Sequence, residues 1–264
     1  MPSTPIRDIT CYYEEIGSGD PLVLIMGLGG DLQAWAFQMA ELPRSYRTVV
    51  FDNRGSGRSA SPDKPYSIAG MAQDVAALMD KLGIQKAHIL GYTMGGYIAQ
   101  EFALTNPTRV NKLILLATAP STDGYGKAIF SSWIDIRRSN MSREQVARST
   151  APWHYSAALL ADPVRSERSV QNALNNPYPQ QDHGFIRKAQ ALINFDAESR
   201  LGAIKAPTLV VASKDDILIP PRNSEKLAKL IPGAKLVELS GPHLGVIENS
   251  VEYNAAFLTF LRGE

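Results

Sequence analysis

The sequence predicts an α/β domain, a mostly parallel central sheet flanked by helices, with a helical segment inserted before the last two strands. Three observations carry that expectation. Short, β-rich apolar runs alternate with longer segments of helical period along most of the chain. The central runs, such as Leu22-Val23-Leu24-Ile25 and Leu113-Ile114-Leu115-Leu116, are apolar throughout, as expected where helices cover both faces of a sheet. Between residues 120 and 201 the strand rhythm stops and helix-like segments take over.

In chain order, strands are expected over residues 11–16, which Gly17 closes, over 22–26, closed by Gly27, and over 48–52, closed by Asn53. A helix follows. Met71, Ala72, Val75, Leu78, Met79 and Leu82 recur at helical spacing, and Gly83 supplies a stop. The run 87–92 reads as the next strand, leading straight into a helix over 94–105, and 112–117 as the strand after it. Residues 120–201, with Trp133, Trp153, Tyr155 and several prolines, read as an inserted helical cap. Strands over 208–212 and 235–239 and helices over 221–230 and 250–261 complete the chain. The division expected is therefore a core of residues 1–119 and 202–264 and a cap of residues 120–201. Ligands bind at the carboxyl ends of parallel strands, so an insertion there is placed to cover a site.

Composition narrows the function. The 264 residues suit one domain with a sizeable insertion, and 44% hydrophobic with 20% charged residues excludes disorder and fibrous repeats. A net charge of +1 without long single-sign runs leaves no electrostatic footprint for nucleic acid or an anionic membrane. The single cysteine, Cys11, can form neither an internal disulfide nor a thiolate metal site. The polar start and the lack of any membrane-length apolar stretch read as a cytoplasmic protein. The expected partner is a small-molecule substrate, with a homodimer left open.

The most informative stretch is His88-Ile89-Leu90-Gly91-Tyr92-Thr93-Met94-Gly95-Gly96. A strand runs into small residues flanking one hydroxyl residue, and a helix follows at once. This is the shape of a nucleophile elbow, where a sharp strand-to-helix turn lifts one side chain above the sheet and small neighbours prevent a clash. The helix N-terminus behind it favours developing negative charge. The glycines Gly27, Gly29 and Gly30 do not have dinucleotide-binding spacing, and Gly55-Ser56-Gly57 lacks the Lys-Ser/Thr ending of a phosphate loop. Four scattered histidines lack metal-ligand spacing.

With Leu24-Ile25-Met26-Gly27-Leu28-Gly29-Gly30, Phe51-Asp52-Asn53-Arg54-Gly55-Ser56-Gly57-Arg58-Ser59, the elbow, the loop from Asp216 to Pro220 and the late His243, the sequence resembles the α/β-hydrolase superfamily. It is most similar to the bacterial branch of 3-oxoadipate enol-lactonase-like enzymes, carboxylesterases and related capped hydrolases, over nearly the whole chain. The resemblance implies Thr93 at the nucleophile position, Asp216 as acid and His243 as base, in the superfamily's chain order. It also implies an oxyanion hole from the amides of Leu28 and Met94. It implies no cofactor and no metal. Asp215 competes with Asp216, and Asp123 is a substitute acid. His88 reads as a core or edge residue, and His154 and His183 as structural residues of the cap, with the lining of a pocket as their alternative. Asp52, Arg54 and Ser59 read as ties within their loop.

Two positions depart from the family. Serine, or aspartate in some branches, normally stands where this chain has Thr93, and the β-branch is poorly tolerated in a strained elbow. Thr93 is then a hindered nucleophile, a position that has lost nucleophilic work, or an engineered substitution. Met26 replaces the histidine that often braces the loop before Gly27. The activity expected is hydrolysis of a small carboxylic ester, thioester or lactone through a Thr-His-Asp triad and an acyl-enzyme, with Leu28, Met94, Trp133 and Trp153 against the substrate. The alternatives are a non-hydrolytic binder or lyase-like catalyst on the same fold, and a carbon–carbon bond hydrolase.

Overall fold

The structure, a computed structural model, describes residues 2–263. Eight strands form one sheet: β1 (Ser3–Ile6), β2 (Ile9–Ile16), β3 (Pro21–Ile25), β4 (Arg47–Phe51), β5 (Ala87–Tyr92), β6 (Val110–Leu116), β7 (Thr208–Ser213) and β8 (Lys235–Leu239). Their order across the sheet is β1-β2-β4-β3-β5-β6-β7-β8. The pairs β1–β2 and β2–β4 are antiparallel and the rest are parallel. The sheet is therefore mostly parallel, with an antiparallel hairpin at one edge.

The continuous apolar reading of the central strands has a direct cause. Val23 and Ile25 of β3 and Ile89 of β5 point into one core, while Leu22, Leu24 and Leu90 point into a second core on the opposite face. The first core is closed by α2 (Ile68–Lys81) and α3 (Met94–Thr105), through Met71, Val75, Tyr97 and Phe102. The second is closed by Trp35, beside the short α1 (Ala36–Met39), and by Tyr253 and Phe257 of a C-terminal helix. Side chains alternate across a strand, so a strand covered on both faces has no polar phase. The edge strand β8 differs, because only Leu239 of its five residues is buried.

Strand β1 escapes the sequence reading. It is four residues long with Ile6 alone in the core, and it exists because β2 returns against it through a turn with Arg7 at φ 46°. Strand β2 also begins earlier than expected, at Ile9, since pairing with β1 extends it.

Between β6 and β7 lie five helices: α4 (Gly124–Arg138), α5 (Arg143–His154), α6 (Ala157–Ala161), α7 (Pro163–Leu174) and α8 (Asp182–Ile193). Side chains cap four of them. Asp123 accepts from the Gly126 amide, Ser142 forms a capping box with Gln145, Ser156 accepts from Leu159, and Asp162 accepts from Val164 and Arg165 ahead of α7. The insertion enters and leaves at one place. Ser121 bridges Asp196, the Ala197 amide donates to the Pro120 carbonyl at 3.0 Å, and Thr122 Oγ1 donates to the Leu192 carbonyl at 2.7 Å. The chain then returns to the core and ends with α9 (Pro221–Leu230), α10 (Gly245–Glu248) and α11 (Ser250–Arg262). Among the described residues no helix is long and apolar enough to cross a membrane.

Candidate active site

Thr93 sits in the turn between β5 and α3 with φ 50° and ψ −116°, a conformation that a β-branched residue adopts only under strain. The surroundings hold it there. Its amide donates to the Leu116 carbonyl at 2.9 Å, and its carbonyl accepts from the Gly96 amide at 2.8 Å and from Thr118 Oγ1 at 3.0 Å. The small residues around it are required by contact. A Cβ on Gly95 would lie 1.9 Å from the Ile25 carbonyl oxygen, and one on Gly27 would lie 1.8 Å from the Thr93 methyl. That methyl therefore packs directly against the loop after β3.

Asp216 and His243 come together from the loops that follow β7 and β8. His243 Nδ1 lies 2.7 Å from Asp216 Oδ2, with both side chains buried. Asp216 Oδ1 accepts from the amides of Leu218 and Ile219, each at 2.8 Å, so the carboxylate has donors on both oxygens. A carbonyl-anchored tyrosine steadies the base. Tyr92 Oη donates to the His243 carbonyl at 2.8 Å and its ring lies 5.3 Å from the imidazole. Among the described residues the Thr93 hydroxyl has no hydrogen-bond partner, so the resting chain does not join it to His243.

The loop holding Leu28 is braced without the histidine. Asn53 Nδ2 donates to the Met26 carbonyl at 2.8 Å, Ser56 Oγ donates to the Gly30 carbonyl at 3.0 Å, and Asp52 Oδ1 accepts from the Leu32 amide at 2.8 Å. The Met26 side chain fills the space beside Gly30, where a Cβ would meet its Cγ at 2.9 Å. Leu28 is half-buried beside this loop, whereas the Met94 side chain is wholly buried in the core. The Met94 amide stands at the start of α3, directly after Thr93, and its side chain belongs to the core.

The other acidic and histidine candidates separate. Asp215 is exposed, and Asp123 is occupied in capping α4. His88 is buried in β5 against Tyr46. His183 Nε2 lies 2.8 Å from the Ser61 carbonyl, tying α8 to the loop after β4. Arg54 pairs with Asp74 and Asp8, and Ser59 Oγ donates to the Asp52 carbonyl at 2.6 Å. Among the described residues no three metal-ligating side chains cluster.

Two insertion residues stand nearer to the site than their sequence context indicates. His154 ends α5 with its ring 5.9 Å from that of His243, stacked on Trp133 at 5.5 Å, while Trp153 turns toward Tyr125. Burial, helped by the facing His243, pushes its pKa down to about 4. Lys188 of α8 is fully buried and donates to Ser56 Oγ, the hydroxyl that braces Gly30. Burial pushes its pKa down to about 7, against the pull of the Asp52 and Asp31 carboxylates. A lysine three residues after Phe185 shares that residue's helix face, which is the only sequence signal that could have placed it inward.

Comparison with known proteins gives a consistent picture. A family model of the alpha/beta hydrolase fold matches residues 20–250. A protein of Pseudomonas savastanoi pv. phaseolicola that carries the provisional name carbamate hydrolase RutD is 34% identical over 250 residues, covering 92% of this chain and 94% of that protein. A Caulobacter protein with the same provisional name is 33% identical over 259 residues, covering 96% of both. The solved enol-lactonase of Burkholderia xenovorans matches with a TM-score of 0.90 at 26% identity, over 99% of this chain and 100% of that one. A thermophilic esterase from Thermogutta terrifontis matches with a TM-score of 0.88 at 25% identity, over 99% and 98%.

Proposed function

The chain belongs to the alpha/beta hydrolase fold family and is a hydrolase, and from that premise we propose that it cleaves small carboxylic esters, thioesters or lactones through an acyl-enzyme on Thr93. The observation that supports this most is the buried Asp216–His243 pair, held at 2.7 Å at the strand ends beyond which the Thr93 elbow stands. An imidazole with its Nδ1–H on a carboxylate has its Nε2 lone pair free to take a hydroxyl proton.

In this reading Thr93 Oγ1 attacks the substrate carbonyl while His243 Nε2 takes its proton. The negative charge moves to the carbonyl oxygen, against the amides of Leu28 and Met94. Collapse breaks the bond to the leaving group, which receives the proton from His243. Water then attacks the acyl group, gives its proton to His243, and the freed Thr93 oxygen takes that proton back. The helical insertion is the cap of the site, and Trp133 and Phe185 give it an apolar wall. Carbamates, in which a nitrogen flanks the carbonyl, undergo the same steps. The names of the relatives at 34% and 33% identity favour them as a second substrate class.

The test compares the native chain with Thr93→Ser and Thr93→Ala on 4-nitrophenyl acetate, with intact-mass detection of acetylated protein. The expected result is an acetyl adduct on the native chain, faster turnover in Thr93→Ser, and a loss of about a thousandfold with no adduct in Thr93→Ala. A Thr93→Ala variant as fast as the native chain would overturn the covalent reading.

A further inference from the structure

The insertion sets a second imidazole beside the base, and its bonds fix which way that ring is protonated. His154 Nδ1 lies 2.8 Å from the Thr150 carbonyl oxygen. A carbonyl only accepts, so Nδ1 carries the hydrogen and Nε2 carries the lone pair. The ring cannot drift, because it stacks on Trp133 and its own carbonyl accepts from the Leu244 amide at 3.0 Å, one residue after the base. A second tie lies just beyond, where Ser156 Oγ donates to Glu248 at 2.7 Å. Among the described residues Nε2 has no hydrogen-bond partner, and the residue is only half-buried.

We propose that His154 is a specificity-determining residue whose Nε2 accepts a hydrogen bond from an N–H or O–H group on the leaving-group side of the substrate. This rests on the acyl-enzyme reading above. When the tetrahedral intermediate collapses, His243 hands its proton to the departing atom, so the leaving group lies against the His243 ring. His154 borders that ring edge-on at 5.9 Å. A leaving group with its own donor satisfies the lone pair; one of equal size without a donor covers Nε2 against the stacked Trp133 wall and leaves that acceptor unpaired, which is disfavoured. The depressed basicity of the ring agrees with this role. Burial first, and His243 after it, oppose its charging against the pull of the Thr150 carbonyl and the Asp216 carboxylate, so the ring remains an acceptor across the neutral range. A ring that merely filled space would be replaced without consequence by phenylalanine.

The experiment measures kcat/KM for 2-hydroxyethyl acetate and 2-methoxyethyl acetate, which differ in one donor, in the native chain, His154→Phe and His154→Gln. The expected native preference for the hydroxyethyl ester is about tenfold. His154→Phe brings the ratio to near one, and His154→Gln, whose side-chain carbonyl accepts, restores part of it. A ratio unchanged in His154→Phe overturns the proposal, whatever happens to the rates themselves. Should the native chain turn over neither ester, the acetyl adduct from 4-nitrophenyl acetate still decides the acyl-enzyme reading, and the ¹⁵N resonances of the ring decide the proposal. An unprotonated Nε2 that shifts with the hydroxyethyl ester and not with the methoxyethyl ester supports the proposal. A hydrogen on Nε2, or no difference between the esters, refutes it.

Discussion

Asp216→Asn separates the charge of the acid from its shape, because the structure dictates how the amide must turn. Oδ1 of Asp216 receives two backbone N–H groups at 2.8 Å, from Leu218 and Ile219, while Oδ2 faces His243 Nδ1 at 2.7 Å. An asparagine keeps its carbonyl oxygen on the two amides, since the opposite rotamer would set donors against donors twice. Its NH2 group then faces Nδ1, which must become an acceptor, and the ring's hydrogen moves to Nε2. The base now presents a hydrogen where it needs a lone pair. The same switch of tautomer in a serine protease triad lowers kcat by about 10⁴-fold, which corresponds to about 5.5 kcal/mol of transition-state stabilisation. A loss of that order is expected here, measured as kcat/KM on 4-nitrophenyl acetate from pH 7 to 9. Raising the pH should not restore activity, because the defect is a tautomer and not a protonation state. The thermal midpoint should change little, because every hydrogen bond of the carboxylate has a counterpart in the amide. A loss below about tenfold in a folded variant would refute the assignment of Asp216 as the residue that orients the base.

Two further outcomes follow from contacts already described. Gly27→Ala puts a methyl where the Thr93 methyl lies 1.8 Å away, so the elbow must shift; kcat should fall by about a hundredfold, and adding Thr93→Ser should recover part of it. Losses that simply add in this double-mutant cycle would count against direct packing of the two residues. Lys188→Met tests the buried ammonium through stability. The folded pKa of about 7 lies below the ordinary value of 10.5, so between them the unfolded chain binds more protons and native stability rises with pH. Urea midpoints at pH 6.5, 8 and 9.5 should climb in the native chain relative to Lys188→Met, with the variant gaining most at pH 6.5; parallel curves would exclude an energetically strained lysine.

Periodicity was enough for the strands from β2 to β8, apart from where β2 begins. The central strands are legible because covering both faces removes the polar phase, and the Thr93 turn because only small residues fit around it. The segments that sequence leaves dark are those whose form depends on a distant partner. Strand β1 is short, with one core residue, and only β2 makes it a strand. His154 ends a largely polar helix in which Ala151 is the buried residue, so no apolar face points it inward; the crossing of the Leu244 amide onto its carbonyl brings it beside His243. Lys188 is darker still, because a lysine is the residue least expected to be wholly enclosed. Met26 is the opposite case. Its loss of an imidazole implied a looser loop, yet Asn53, Ser56 and Asp52 hold three successive parts of that loop by main-chain groups.

The threonine at the elbow is best understood together with Gly27. A serine there would have one heavy atom on Cβ and could swing its hydroxyl between the base and the substrate. Thr93 has two, and one of them is fixed: the methyl fills the place where Gly27 has no side chain, so the position of Oγ1 is set by packing. Bringing the hydroxyl elsewhere means moving the methyl out of that contact, at the cost of apolar burial of about 0.8 kcal/mol and of an eclipsed or crowded rotamer in an already strained backbone. On the acyl-enzyme reading proposed above, the placement of Oγ1 by this contact governs whether it reaches His243, which Asp216 already holds at 2.7 Å. The same contact joins the nucleophile to the loop that carries the Leu28 amide, so a displacement of either one moves the other. Removing the methyl would therefore free the hydroxyl and loosen the loop after β3 together, and the gain expected from Thr93→Ser on the proposed reading is the difference between those two effects.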